Sequence, residues 1–224
     1  MNTLRLRRHD LVWLDPAIDV GRYAAAAQAD AARHWVKQGF PLVVARQAAA
    51  RAGDAERIML GFSQPSAPMR TRVMLSADRS AILRHSRPLL LADAMRLAPA
   101  GWQAGMSRLH ELCECTGTVA RVYGSLSSEI LTGRRYLDAG SDLDLLLECA
   151  DAARLRELLA GLEDFPLAVP RIDGEILAAS GWAAAWRELA AAIRNGIAQV
   201  LAKSDTDVRL IRVDEFTQPF PVPA

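Results

Sequence analysis

Residues 119–148 read VARVYGSLSSEILTGRRYLDAGSDLDLLLE, and the architecture of the second half follows from them. Val119 to Tyr123 (VARVY) predicts a strand that stops on Gly124-Ser125. A helix begins at once, over Leu126 to Leu131, with Ser127 and Ser128 in its first turn, and DLDLLL from Asp142 to Leu147 predicts a second, buried strand. A helix that starts directly behind a strand presents unpaired backbone N–H groups and the positive end of its dipole, which together bind phosphate. Glycine lets that phosphate come close to the backbone, and the serine hydroxyls of Ser125 and Ser127 add donors.

The second strand carries Asp142 and Asp144, two residues apart on an apolar run. Side chains at i and i+2 share a strand face, so both carboxylates point one way while Leu143 and Leu145 pack inward. Two like charges side by side in a mostly buried strand are unfavourable without compensation. A divalent cation is the simplest compensation, and Mg²⁺ accepts a few carboxylates together with phosphate oxygens. A pair of solvent-facing carboxylates on an edge strand is the competing reading; the upstream Gly124-Ser125 turn favours the metal.

Working outward, the order helix–strand–helix–strand–helix–strand predicts a mixed sheet covered by helices. Trp102 to Cys115 and Asp151 to Gly161 read as helices, Leu167 to Ile176 as extended chain, Trp182 to Ile193 as helix, and Ile197 to Val213 as two strands joined at Ser204-Asp205. Asp78 to Pro99 reads as two short helical stretches broken by Pro88. Before it come a short strand over His9 to Leu14, a helix over Gly21 to Gln38, and strands at Pro41 to Ala45, Arg57 to Phe62 and Thr71 to Leu75. The expected class is therefore α+β, with a small α+β accessory domain over residues 1–78 and the catalytic domain over 79–224. The accessory part carries nothing that metal or phosphate handling needs, and is expected to help hold bulky substrates in line.

The net charge is +1 over 224 residues, so no overall field draws the chain to nucleic acid or a membrane surface. Arg5, Arg7 and Arg8 lead into no apolar run, and charges interrupt every apolar segment, so neither a secretory signal nor a membrane span is expected, and the expected compartment is the cytoplasm. Cys113 and Cys115 lie two apart in a helical pattern and face different ways, which speaks against a disulfide or a shared metal. His9 beside Asp10 reads as a capped turn; His34, His85 and His110 and the helix tryptophans read as structural.

Strand, Gly124-Ser125, helix, then Asp142-x-Asp144 on a strand resembles the nucleotidyltransferase superfamily. That resemblance implies a third carboxylate from a later strand, a catalytic metal ligand beside Asp142 and Asp144: Asp173, favoured over Glu175 in RIDGEI, with Gly174 between them marking a bend or bulge. The gap from Ser125 to Asp142 is longer than the superfamily minimum, so Arg134 to Gly140 are expected to form an extra loop. Arg134, Arg135 and Lys203 are candidates for positive charge beside the phosphates, with solvated surface as the competing role. A narrower resemblance spans most of the chain: RRHDLVWL, GFPLVVARQ, GSLSSEILTGRRYLDAGSDLDLLLE and RIDGEI with AWREL are similar to malonate decarboxylase holo-acyl-carrier-protein synthase, or phosphoribosyl-dephospho-CoA transferase. This implies transfer of a phosphoribosyl-dephospho-CoA group from 2′-(5″-triphosphoribosyl)-3′-dephospho-CoA to a serine of the malonate decarboxylase acyl carrier protein, with Mg²⁺ as cofactor and pyrophosphate as leaving group. An adenylylating nucleotidyltransferase and a non-catalytic scaffold of the same fold stay open as alternatives.

Overall fold

The computed structural model describes residues 5–47, 57–65, 71–149, 152–165 and 170–216. The chain forms two compact units: Met1–Pro88 with Leu131–Arg135 and Asp205–Asp207, and Leu89–Ile130 with Tyr136–Ser204 and Val208–Ala224.

The first unit is built on five antiparallel strands, β1 (Leu11–Leu14), β2 (Leu42–Val44), β3 (Arg57–Gln64), β4 (Thr71–Asp78) and β5 (Ile82–Ser86), in the order β4-β3-β2-β1-β5. Alternation puts Ile58, Leu60, Phe62, Val73 and Leu75 into the core. Helix α1 (Ala29–Lys37) adds Trp35, whose ring stacks on Phe62 at 4.1 Å and whose indole N–H donates to the Pro41 carbonyl at 2.9 Å. The helix expected over Gly21 to Gln38 is shorter than its alanines suggest. Val20–Tyr23 and Ala26–Gln28 are single 3₁₀ turns, because the Asp19 carboxylate takes the Gly21 N–H and Ala24 bridges to Leu75. Nor is Ile82–Ser86 helical: it pairs with β1, which carries the first unit to Pro88, ten residues beyond the expected boundary. The two later segments belong here through specific contacts. Asp205 accepts the Arg8 N–H on its carboxylate and the Gln47 N–H on its carbonyl, both at 2.8 Å, and the Arg134 guanidinium lies over the Phe40 ring at 4.9 Å.

The second unit is a seven-stranded mixed sheet with helices, giving the α+β class expected. Its strands are β6 (Leu89–Leu90), β7 (Val119–Val122), β8 (Asp142–Glu148), β9 (Arg171–Leu177), β10 (Ala183–Ala185), β11 (Gln199–Lys203) and β12 (Val208–Arg212), ordered β12-β11-β10-β9-β8-β7-β6. Among the described residues only β8 and β9 run parallel. Parallel neighbours need a crossover, which α5 (Ala152–Glu163) supplies. Leu143, Leu145 and Leu147 are fully buried in one core with Trp102, Met106 and Leu109 of α3 (Ala100–Cys115), Leu155 and Leu158 of α5, and Leu189 of α6 (Trp186–Asn195). Each such leucine contributes about 1.5–3 kcal/mol by leaving water. Short helix α2 (Leu91–Met95) adds Leu91 and Ala94.

Two local expectations change. Trp182 to Ile193 is not one helix: Ala183–Ala185 is the strand between β9 and β11, and the helix starts at Trp186. Alanine is a good helix former, but here two flanking strands supply hydrogen bonds on both sides and outweigh that preference. Extended chain begins at Arg171, and 167–169 lie outside the described residues. The cysteines are free; Cys113 and Cys149 are buried, and burial pushes the Cys113 thiol up to about 12, which leaves it inert. Among the described residues no helix is long and apolar enough to cross a membrane.

Candidate active site

Strand β7 delivers the chain to Gly124, where α4 (Gly124–Thr132) starts without an intervening loop. The turn is tied to the neighbouring strand, because the Tyr123 N–H donates to the Asp144 carbonyl at 3.0 Å. Gly124 has φ +67°, and a Cβ there would sit 1.8 Å from Asp144 Oδ2. Only glycine satisfies both conditions: it tolerates the left-handed backbone, and it leaves room for the carboxylate. The start of the helix is thereby pressed against Asp144. Ser125 is partly exposed there, and the Ser128 hydroxyl donates to the Gly124 carbonyl at 2.9 Å. Ser127 is buried, so of the two serines expected to meet substrate it is Ser125 that keeps access.

Asp142 and Asp144 lie on the face of β8 opposite the buried Leu143, Leu145 and Leu147, and both are half-buried. In the parallel ladder Asp142 is level with Arg171 and Asp144 with Asp173, so all four side chains share one face. Asp173 is exposed, and its Oδ1 accepts the Gly174 N–H at 2.8 Å. Gly174 has φ +142°, and a Cβ would lie 2.0 Å from the Leu145 carbonyl oxygen, so this position is closed to any side chain. Glu175 is buried one step farther along and is held by Lys203 at 2.9 Å. Glu175 and Lys203 thus neutralise each other, while Asp173 stands beside Asp144.

Asp142 is engaged by a fork. Arg171 Nε donates to Oδ1 at 2.6 Å, and Nη2 donates to Oδ2. The carboxylate holds the Arg171 guanidinium above its ordinary pKa, so the arginine is a fixed positive charge. Among the described residues no three of His, Cys, Asp and Glu converge as a ready metal cage. The donor set nevertheless fits Mg²⁺, which needs only one or two carboxylates when phosphate oxygens complete its shell. Asp142 and Asp144 are hard oxygen donors two residues apart on one face, with the phosphate-binding type of turn against them. Arg134 belongs to the first unit, over Phe40 and Trp35, and Arg187 donates to the Ile172 carbonyl at 3.0 Å. Sequence reading passed over Arg171. The available signal was its spacing: it lies two residues before Asp173 and so shares that residue's face.

A mixed α+β sheet with a glycine-serine turn into a helix, pressed against an Asp-x-Asp strand, is the arrangement expected from the resemblance to nucleotidyltransferases. Residues 7–88 and 90–214 match, respectively, the N-terminal and C-terminal domains of phosphoribosyl-dephospho-CoA transferase MdcG. The phosphoribosyl-dephospho-CoA transferase of Bradyrhizobium diazoefficiens is 33% identical over 215 residues, covering 93% of this chain and 91% of the relative. That of Xanthomonas campestris pv. campestris is 33% identical over 205 residues, with 91% and 93% covered. The chain belongs to the phosphoribosyl-dephospho-CoA transferase family. No solved structure matches it significantly.

Proposed function

We propose that this chain transfers the phosphoribosyl-dephospho-CoA group from 2′-(5″-triphosphoribosyl)-3′-dephospho-CoA to a serine of the malonate decarboxylase acyl carrier protein, in a Mg²⁺-dependent reaction. Membership of the family supports the group transferred. The observation that carries the chemistry is the contact of Gly124 with Asp144, which joins a phosphate-binding turn to a carboxylate strand. In the reaction the serine Oγ forms a bond to the α-phosphorus of the donor, and the bond from that phosphorus to the bridging oxygen breaks as pyrophosphate leaves. Such transfer depends on positioning and charge neutralisation more than on covalent help. The backbone N–H groups at the start of α4 and the Ser125 hydroxyl bind the donor's phosphates. Asp142 and Asp144 hold Mg²⁺, which when bound offsets the charge of the triphosphate. Asp173, the most exposed of the three carboxylates, takes the hydroxyl proton.

Mass spectrometry of the carrier subunit after incubation with enzyme, donor and Mg²⁺ tests this. The expected product is a carrier heavier by one phosphoribosyl-dephospho-CoA group, lost when EDTA is present. An AMP adduct formed from ATP in its place would transfer the reading to an adenylylating enzyme.

A further inference from the structure

The Asp142 carboxylate has a tenant. Arg171 is exposed, grips both carboxylate oxygens, and among the described residues is otherwise drawn to Asp173. A guanidinium covering both oxygens of Asp142 and a cation bound to that carboxylate exclude each other, since the fork uses the lone pairs a metal would take. Charge makes the exchange reasonable. Asp142, Asp144 and Asp173 carry three negative charges on one face, and Arg171, level with Asp142, brings one positive charge to it. Arg171 is open to water, which screens the pair and can solvate the guanidinium once it is released. An arginine released from Asp142 also has a second partner within its chemistry, because the same fork matches a phosphate as well as a carboxylate.

We propose that Arg171 is a displaceable counter-ion: it holds Asp142 until a divalent cation takes that carboxylate, and the released guanidinium then passes to the phosphates of the donor. This rests on the reading of Asp142 and Asp144 as metal ligands and adds an order to it. Cation and phosphate bind poorly alone and well together, because each removes an obstacle to the other. Arg171 is on this account a positioning residue before the donor arrives and a phosphate contact after.

The test uses Mn²⁺, which carboxylate sites accept in place of Mg²⁺, followed through the electron paramagnetic resonance signal of the free ion. Wild type, Arg171→Gln and Arg154→Gln are titrated with and without pyrophosphate. Arg154 pairs with Glu157 on α5 and controls for the loss of one surface charge. Without pyrophosphate, Arg171→Gln should bind Mn²⁺ on the order of two- to tenfold more tightly than wild type, and Arg154→Gln should match wild type. Pyrophosphate should tighten Mn²⁺ binding by wild type, and this tightening should shrink in Arg171→Gln. Equal or weaker Mn²⁺ binding by Arg171→Gln overturns the displacement, and an unchanged pyrophosphate effect overturns the hand-over. If Mn²⁺ fails to bind wild type even with pyrophosphate, the metal reading itself falls and takes this proposal with it. Arg171→Lys keeps the charge and loses the fork, so it should lie between wild type and Arg171→Gln; behaviour identical to wild type would count against the fork.

Discussion

Replacing Gly124 by alanine puts a single methyl group where two separate penalties can be told apart. The first is backbone strain: φ is +67°, and an L-residue in the left-handed region costs roughly 1–2 kcal/mol. For a chain of this size that lowers Tm by about 2–8 °C. The second is collision, since the new Cβ would stand 1.8 Å from Asp144 Oδ2 and 2.7 Å from its Cγ. Contact distance between non-bonded heavy atoms is about 3.5 Å, so the carboxylate or the helix start must move by more than about 1 Å. A misplacement of that size in a positioning-dependent reaction costs on the order of a hundredfold in rate. Gly196 supplies the control: it has φ +65° at the end of α6, and nothing lies within 4 Å of its Cβ position. Gly196→Ala therefore takes the strain without the collision. The expected outcome is a Tm loss in both variants, at least as large in Gly124→Ala, with carrier modification slowed about a hundredfold in Gly124→Ala alone. Thermal melts and initial rates from carrier mass spectrometry measure the two. A Gly124→Ala enzyme within about threefold of wild type would refute the reasoning, because the tight approach of turn and carboxylate would then have no part in the chemistry.

Asp144→Asn should reduce transfer by at least about a hundredfold at saturating Mg²⁺ without lowering Tm, since it removes one of several like charges on that face; substantial activity would take Asp144 out of the metal site. Asp10 is buried, and desolvation raises its pKa above 3.8 despite the Arg7 N–H and the ion pair with Arg87 at 3.4 Å. The folded state thus binds this proton more tightly than the unfolded one, so the cost of the buried charge is present above the folded pKa and is relieved as pH falls through it. Asp10→Asn should accordingly melt higher than wild type at neutral pH, with the gap closing toward pH 4 in thermal melts at a series of pH values; a lower Tm at neutral pH would mean that Arg87 outweighs burial. Of the three cysteines only Cys115 is exposed, so a thiol-reactive disulfide reagent should modify one thiol quickly in the native chain and all three after denaturation; rapid modification of Cys113 would contradict its packing.

The block from Val119 to Glu148 was legible because its chemistry is local. Alternation along DLDLLLE puts Asp142 and Asp144 on the face opposite Leu143, Leu145 and Leu147 whatever the strand pairs with, and a glycine-serine step into a helix start suits phosphate. Gly174 could be read as a special position for the same reason. What the chain order could not disclose is what stands opposite what. Arg171 meets Asp142 across 29 residues because β8 and β9 run parallel in that register, and a shift of one residue would turn every side chain to the other face. The same holds for Asp173 and Glu175, equal candidates by spacing until the ladder sets Asp173 level with Asp144 and Lys203 takes Glu175. Ile82–Ser86 and Ala183–Ala185 became strands through partners far away in the chain, against their own helical preferences. Local pattern determines which face a residue occupies and what a turn can bind; register and long-range pairing, which depend on the whole sheet closing together, determine which charges meet.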